Sequence, residues 1–296
     1  MQNGLSLLAL SVVALTVVAG QDQRPPRAAD ARTRDIYISV VDSKEVAVTG
    51  LSGADFDVRE DGVAREVLRA VPATEPLDIV LLVDDSQAAT RAIPYLRDGL
   101  GQFVDKMQGK AAIGIVTIGE RPTSVVERTT DAAALKKGVS RIFARRGAGA
   151  YLLDGISEVT RALQKRETKR PVIVAITVEG VEFSNLQYER VLNDLYKSGA
   201  ALHVLEIGTP AAITSDEIRN KNLVIAEGTV ATGGRRDQLL SELAIPDALT
   251  KLAGELLNQY VVTYGRPDAL VPPEKVRVSV KKPGLTARAR TRLAEK

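Results

Sequence analysis

The chain has 296 residues, a formal net charge of +3 and a sequence pI near 9.0. It holds no cysteine and one histidine, His203. Disulfides, thiol catalysis, thiolate metal centres and multi-histidine zinc sites are thereby excluded, and so diffuse a positive charge gives no nucleic-acid footprint. The length suffices for one large α/β domain with a small second unit.

In chain order, residues 1–20 carry no charged side chain, and Leu5 to Ala19 is a continuous run of apolar and small residues. This stretch reads as a secretory signal cleaved after Ala19 or Gly20; the alternative is an uncleaved membrane anchor. Residues 21–34, rich in proline and arginine, read as a linker. From 35 to 75 the pattern is that of a small β unit. Ile36, Ile38 and Val40 alternate with polar neighbours, a second strand is expected at Phe56 to Arg59, and Asp61-Gly62 is a hairpin turn. A third strand is expected from Ala64 to Val71, stopped by Pro72. Asp55, Asp57, Glu60 and Asp61 crowd this hairpin, but their spacing is not that of an EF-hand.

The stretch Leu77 to Val83 is a run of apolar, mostly branched residues broken only by Asp78, and it ends abruptly at Asp84-Asp85-Ser86. Such a run reads as a strand buried on both faces of a parallel sheet, and ligands of open α/β sheets bind beyond the carboxyl ends of the strands. Helices are expected from about Ala92 to Met107 and from Asp131 to Phe143, the latter with Arg141, Arg145 and Arg146 at its basic end. Ala112 to Ile118 reads as a strand. Gly147-Ala148-Gly149-Ala150 precedes a helix with Leu152, Leu153, Ile156, Val159 and Leu163 on its apolar face. Pro171 to Thr177 and Ala201 to Ile207 read as strands, with His203 inside the second, and Gln187 to Lys197 as a helix. Residues 213–229 read as an irregular surface insertion. Pro246 to Leu257 closes the series as a helix. Residues 259–296 offer strands at Tyr260 to Tyr264, at Val276 to Val280 and within 286–293, expected to pair with the N-terminal β unit.

Ile79-Val80-Leu81-Leu82-Val83-Asp84-Asp85-Ser86 resembles the first strand of a von Willebrand factor type A domain and its metal-ion-dependent adhesion site. That family carries Asp-x-Ser-x-Ser here, then Gly-Gly-Thr before a helix and Asp-Gly after a later strand. Asp84 and Ser86 match the first part. Ala88 stands where the second serine would be, Ala150 where the threonine would be, and Glu179-Gly180 where Asp-Gly would be. Thr232-Gly233-Gly234 matches a late turn of the family. Gly50-Leu51-Ser52, Asp55-Phe56, Val58 and Glu60-Asp61-Gly62 resemble the segment before the domain in secreted bacterial proteins of the group.

The resemblance implies a three-layer α/β sandwich with a mostly parallel central sheet over residues 76–258, and a β unit from both termini. It implies a secreted, periplasmic or extracellular protein-binding or scaffolding module with a degenerate adhesion site that does without metal. The partner face is expected at Asp84, Asp85, Ser86, Tyr151 and Glu179. Two alternatives stay open. One is adhesion dependent on Mg²⁺ or Mn²⁺, with Asp84, Ser86 and Glu179 as ligands. The other is an envelope enzyme using Asp84 and Glu179 as a carboxylate pair, although the sequence offers no nucleophile–base set. No nucleic-acid partner is expected, and membrane contact only through an uncleaved leading segment.

Overall fold

The run Leu77–Val83 is buried at every position and sits inside a six-stranded sheet in the computed structural model, which describes residues 32–166, 168–210, 212–213, 215–266 and 272–293. The expected leading signal and nearly all of the expected linker lie outside the described residues. The first strand, β1 (Arg32–Val41), opens the β unit with β2 (Phe56–Glu60), β3 (Val63–Arg65) and β4 (Val67–Pro72). β1 starts three residues inside the expected linker because its pairing partner reaches Arg266, opposite Arg32. The strand expected from Ala64 to Val71 is split into β3 and β4, which join different sheets.

The α/β body follows as β5 (Leu77–Val83), α1 (Ile93–Met107), β6 (Ala111–Thr117), β7 (Thr123–Thr129), α2 (Ala132–Val139), α3 (Leu152–Gln164), β8 (Pro171–Val178), α4 (Tyr188–Ser198), β9 (Ala201–Ile207), α5 (Asp216–Thr232), β10 (Arg236–Leu239) and α6 (Ile245–Leu257). The sheet order is β10-β9-β8-β5-β6-β7, parallel except for the β6–β7 pair. One face packs on α1, α2 and α6 through Leu96, Leu100, Phe103, Leu135, Leu249 and Leu252. The other packs on α3, α4 and α5 through Leu153, Ile156, Leu192, Leu195, Val224 and Ile225. Helices on both faces of a mostly parallel sheet are the expected three-layer sandwich. α1 and α6 touch at Gly99, where a Cβ would meet Leu249 Cδ1 at 2.9 Å and Pro246 Cα at 3.0 Å.

Four elements depart from the pattern read in the sequence. The irregular insertion expected at 213–229 is helix α5, capped by Ser215, whose hydroxyl accepts from the Ile218 N–H. Its buried face mixes Val224, Ile225 and Gly228 with Asn220, Lys221, Thr229 and Thr232, which hides its amphipathic period. β7 and β10 are short edge strands with half-exposed, polar sequences, and neither stands out by alternation. α2 ends at Val139 rather than Phe143.

The last strands are β11 (Tyr260–Arg266), β12 (Val276–Val280) and β13 (Thr286–Ala289). They complete two antiparallel sheets with the N-terminal strands, ordered β13-β1-β11-β4 and β12-β2-β3. Their shared core holds Ile36, Ile38, Val40, Phe56, Val58, Tyr260, Val262 and Tyr264, and the Phe56 and Tyr260 rings meet edge to face at 5.7 Å. The acidic residues of the hairpin each have a separate partner. Asp55 accepts from Ser52 and pairs with Lys282, Asp57 pairs with Arg59, Glu60 is buried against Arg65 and the Tyr264 hydroxyl, and Asp61 accepts from the Glu274 and Lys275 N–H groups. A buried cluster ties the β unit to the body: Glu255 of α6 accepts from Arg235 at 3.2 Å and from Arg288 of β13 at 3.1 Å. Among the described residues no helix is long and apolar enough to cross a membrane.

Candidate functional site

The carboxyl ends of β5, β6 and β8 converge on Asp84, the first residue past β5. Its N–H donates to the Ile176 carbonyl of β8 at 2.9 Å, so it still lies in the sheet. Its Oδ1 accepts from the Ser86 N–H at 2.8 Å. Its Oδ2 accepts from the Val178 N–H at 2.9 Å and from the Thr177 hydroxyl at 3.4 Å. Both oxygens of this fully buried carboxylate are thus held by internal donors. Burial raises the Asp84 pKa, against the lowering effect of the Val178 and Ser86 hydrogen bonds.

Asp85 turns towards β6. Its Oδ1 accepts from the Gly119 N–H at 2.6 Å, and its Oδ2 from Arg145 Nε at 2.8 Å. The Asp85 carbonyl also accepts from the Arg145 N–H at 2.8 Å. The hydrogen bond from Arg145 to Asp85 is the first cause of the raised Arg145 pKa. Ser86 is buried and precedes a single 3₁₀ turn, Gln87–Arg91.

The neighbouring loop brings Ala150 and Tyr151 beside this cluster. The Tyr151 N–H donates to the Ile118 carbonyl, the Ala150 N–H to the Val181 carbonyl, and the Phe183 N–H to the Ala150 carbonyl, each at 2.8 Å. The Tyr151 and Phe183 rings lie 5.8 Å apart. Phe183 in turn lies over Gly149, where an added Cβ would fall 2.4 Å from the ring. Phe183 and Val181 are 49% and 60% exposed, a pair of apolar side chains at the mouth of the site.

Glu179 leaves the cluster. Its N–H donates to the Ile207 carbonyl of β9 at 2.8 Å, and its carboxylate accepts from Lys221 Nζ at 3.3 Å. Asp84, Asp85, Ser86 and Tyr151 are therefore gathered at one loop cluster, while the Glu179 carboxylate is held by α5. Sequence reasoning missed Lys221 because α5 itself was not recognised. Arg145 was visible only as part of a basic helix end. Glu182 was missed as well. This buried carboxylate accepts from the Leu152 N–H at 3.2 Å and the Ser184 N–H at 3.0 Å, and so caps α3 from outside that helix. Burial pushes its pKa up to about 7, against the lowering effect of Ser184, Lys221 and Leu152.

These residues do not fit a divalent cation. A hard cation needs several convergent oxygens. Ala88 and Ala150 present methyl groups, each Asp84 oxygen already accepts from an internal donor, and Glu179 is paired with Lys221. Among the described residues no group of three or more histidine, aspartate or glutamate side chains is placed to hold a metal ion.

The buried histidine lies away from the loop cluster. His203 Nδ1 accepts from the Arg235 N–H at 3.3 Å, and burial, with the charges of Arg235 and Arg288, lowers its pKa to about 3. It is a neutral core residue.

Residues 79–180 match the family model described as von Willebrand factor type A domain. No curated protein matches the sequence. Among solved structures, a von Willebrand factor type A protein from Catenulispora acidiphila is 12% identical, with a TM-score of 0.52 over 90% of this chain and 74% of that one. Proximal thread matrix protein 1 from the mussel byssus is 15% identical, with a TM-score of 0.52 over 67% of this chain and 50% of that one. The same mussel protein with a zinc-occupied MIDAS motif is 17% identical, with a TM-score of 0.50 over 67% of this chain and 49% of that one. At these identities the likeness is one of fold, and the match spans about half the length of the mussel protein. The family match over residues 79–180 and the shared sandwich show that the central part of this chain has the von Willebrand factor type A fold.

Proposed function

We propose that the protein is a secreted or envelope protein-binding module whose binding face, at the carboxyl edge of the central sheet, works without a metal ion. Domains of this family are in general interaction modules rather than enzymes. The observation that carries the reading is the double occupancy of Asp84: Ser86 N–H on one oxygen and Val178 N–H on the other. Fixed side-chain cations serve the neighbouring carboxylates, Arg145 on Asp85 and Lys221 on Glu179. With the carboxylates held from within, Val181 and Phe183, with Tyr151 beneath, form the apolar part of the outward face, beside the exposed Gln87 and Glu120. Exposed aromatic and aliphatic side chains on a rigid loop cluster are suitable anchors for a protein partner. The charge-free stretch at 1–20 supports a location outside the cytoplasm.

Site-specific photo-cross-linking tests this reading. A cross-linker at Val181 is to be compared with one at Lys110, which precedes β6 at the opposite edge of the sheet, in envelope extracts with and without EDTA. The reading predicts a discrete adduct from position 181 only, unchanged by EDTA. An adduct that needs divalent cation, or one seen equally from position 110, would contradict it.

A further inference from the structure

A groove of about 910 Å³ runs between the helices α4 and α5 and the β2–β3–β12 sheet, away from the loop cluster around Asp84. Its two walls differ in chemistry. The helix wall offers Tyr188, Leu192, Tyr196 and Val230, the last 64% exposed. Arg292 lies over the Tyr196 ring at 4.9 Å and closes one end. The sheet wall offers Arg59, Lys275 and Arg277.

The sheet wall is unfavourable when empty. Arg277 stands directly opposite Arg59 in the antiparallel β2–β12 register. Like charges at directly opposed positions destabilise a sheet. Asp57 pairs with Arg59 at 3.0 Å and relieves part of the repulsion. Arg277 has no ion-pair partner among the described residues, and neither has Lys275. The carboxylates around the groove do not answer these cations. Asp61 accepts the backbone N–H groups of Glu274 and Lys275, and Glu189 and Glu227 belong to the helix wall.

We infer that this groove is a second binding site, for an extended acidic segment of a partner protein that carries an apolar or aromatic side chain. Its carboxylates meet Arg277, Arg59 and Lys275, and its apolar side chain lies on Leu192, Val230 and the tyrosine rings. Guanidinium groups suit carboxylates because their N–H donors form a planar fork. The volume is that of a ligand site and holds a few residues rather than a whole domain.

The test uses the folded chain against a display library of short random peptides, followed by fluorescence anisotropy on the enriched peptides. Enriched peptides are expected to pair aspartate or glutamate with an apolar residue and to weaken as salt rises. Arg277→Glu is expected to weaken them by tenfold or more. It also places a carboxylate opposite Arg59, so the melting temperature should hold or rise, which separates lost binding from lost fold. Phe183→Ser, at the other site, is expected to leave peptide affinity unchanged. The inference is overturned if no acidic peptide is enriched, or if Arg277→Glu has no effect. It is equally overturned if heparin, the polyanionic sugar probe, binds the groove while acidic peptides do not. Loss of peptide binding in Phe183→Ser but not in Arg277→Glu would reject this site and leave the Asp84 face standing.

Discussion

Lys221 Nζ lies 3.3 Å from Glu179 Oε2, a buried ammonium from α5 against the carboxylate that follows β8. The two side chains are 4% and 12% exposed, so water screens the pair little. The charge of Glu179 is thereby balanced from within the chain.

Removing one partner of a buried pair leaves the other charge uncompensated, which costs roughly 3–5 kcal/mol when both are fully buried. Lys221→Met is therefore expected to destabilise the protein by about 3 kcal/mol, slightly less than the full figure because Glu179 keeps some exposure. The double variant Lys221→Met/Glu179→Gln should recover at least half of that loss. Urea unfolding of the wild type, both single variants and the double variant gives the coupling directly. Additive losses would show that the pair contributes nothing.

Phe183 lies against Gly149 so closely that any side chain there must displace the ring. Gly149→Ala is expected to change stability by only about 1 kcal/mol, because the ring is half exposed and can swing outward. Its effect on the proposed binding face should be larger. The cross-link from Val181 is expected to fall while the melting temperature stays within a few degrees, and the Phe183 ring resonances should shift in an NMR spectrum.

Two buried groups make stability depend on pH with opposite signs. Glu182 has a folded pKa of about 7 against an ordinary value of 4.5. Between those values the folded protein keeps a proton that the unfolded chain releases, so stability is greatest below about pH 4.5, falls as pH rises and levels above about pH 7. The full contribution is on the order of 3 kcal/mol at 1.36 kcal/mol per pKa unit. His203, lowered to about 3 from 6.5, acts the other way: its stabilisation is complete above about pH 6.5 and is lost as pH falls towards 3. Subtracting the stability profile of Glu182→Gln from that of the wild type isolates the first effect. The difference should favour the wild type more at pH 5 than at pH 8, and a flat difference would contradict the burial of Glu182.

Much of this was legible in the sequence, for physical reasons that differ by residue. Leu77 to Val83 announces a central strand because a strand covered on both faces needs apolar side chains at nearly every position. Asp84 and Ser86 stood out as a candidate site because a buried strand that stops at a carboxylate calls for internal donors or a ligand. The choice between those two was not legible. It depends on the Val178 N–H and on the direction of the Glu179 side chain, which only the sheet register and α5 determine. α5 was hidden because Asn220 and Lys221 sit on its buried face, where periodicity expects apolar residues. β7 and β10 were hidden because edge strands half open to water need not alternate. The groove wall at Arg59 and Arg277 was beyond reach of the sequence, since cross-strand register pairs residues more than two hundred positions apart.

Glu255 joins the two halves of the molecule. It is buried between Arg235 of the body and Arg288 of β13. Glu255→Ala would remove one anion from both guanidinium groups while Arg235 keeps Asp237 and Arg288 keeps Glu45, so a loss of about 2 kcal/mol is expected. Because the cluster spans both halves, the wild type should melt in one transition. A wild-type melt with two well-separated transitions would contradict the coupling.

The measurement that bears most directly on the central claim is a thermal melt with and without millimolar Mg²⁺ and Mn²⁺, run beside Asp84→Ala. A ligand that binds only the folded state raises the melting temperature by mass action. No cation-dependent shift is expected in the wild type, and a lower, equally cation-insensitive melting temperature is expected in Asp84→Ala, which loses the Ser86 and Val178 hydrogen bonds. A rise with either cation in the wild type that Asp84→Ala abolishes would contradict it and would make Asp84 a metal ligand.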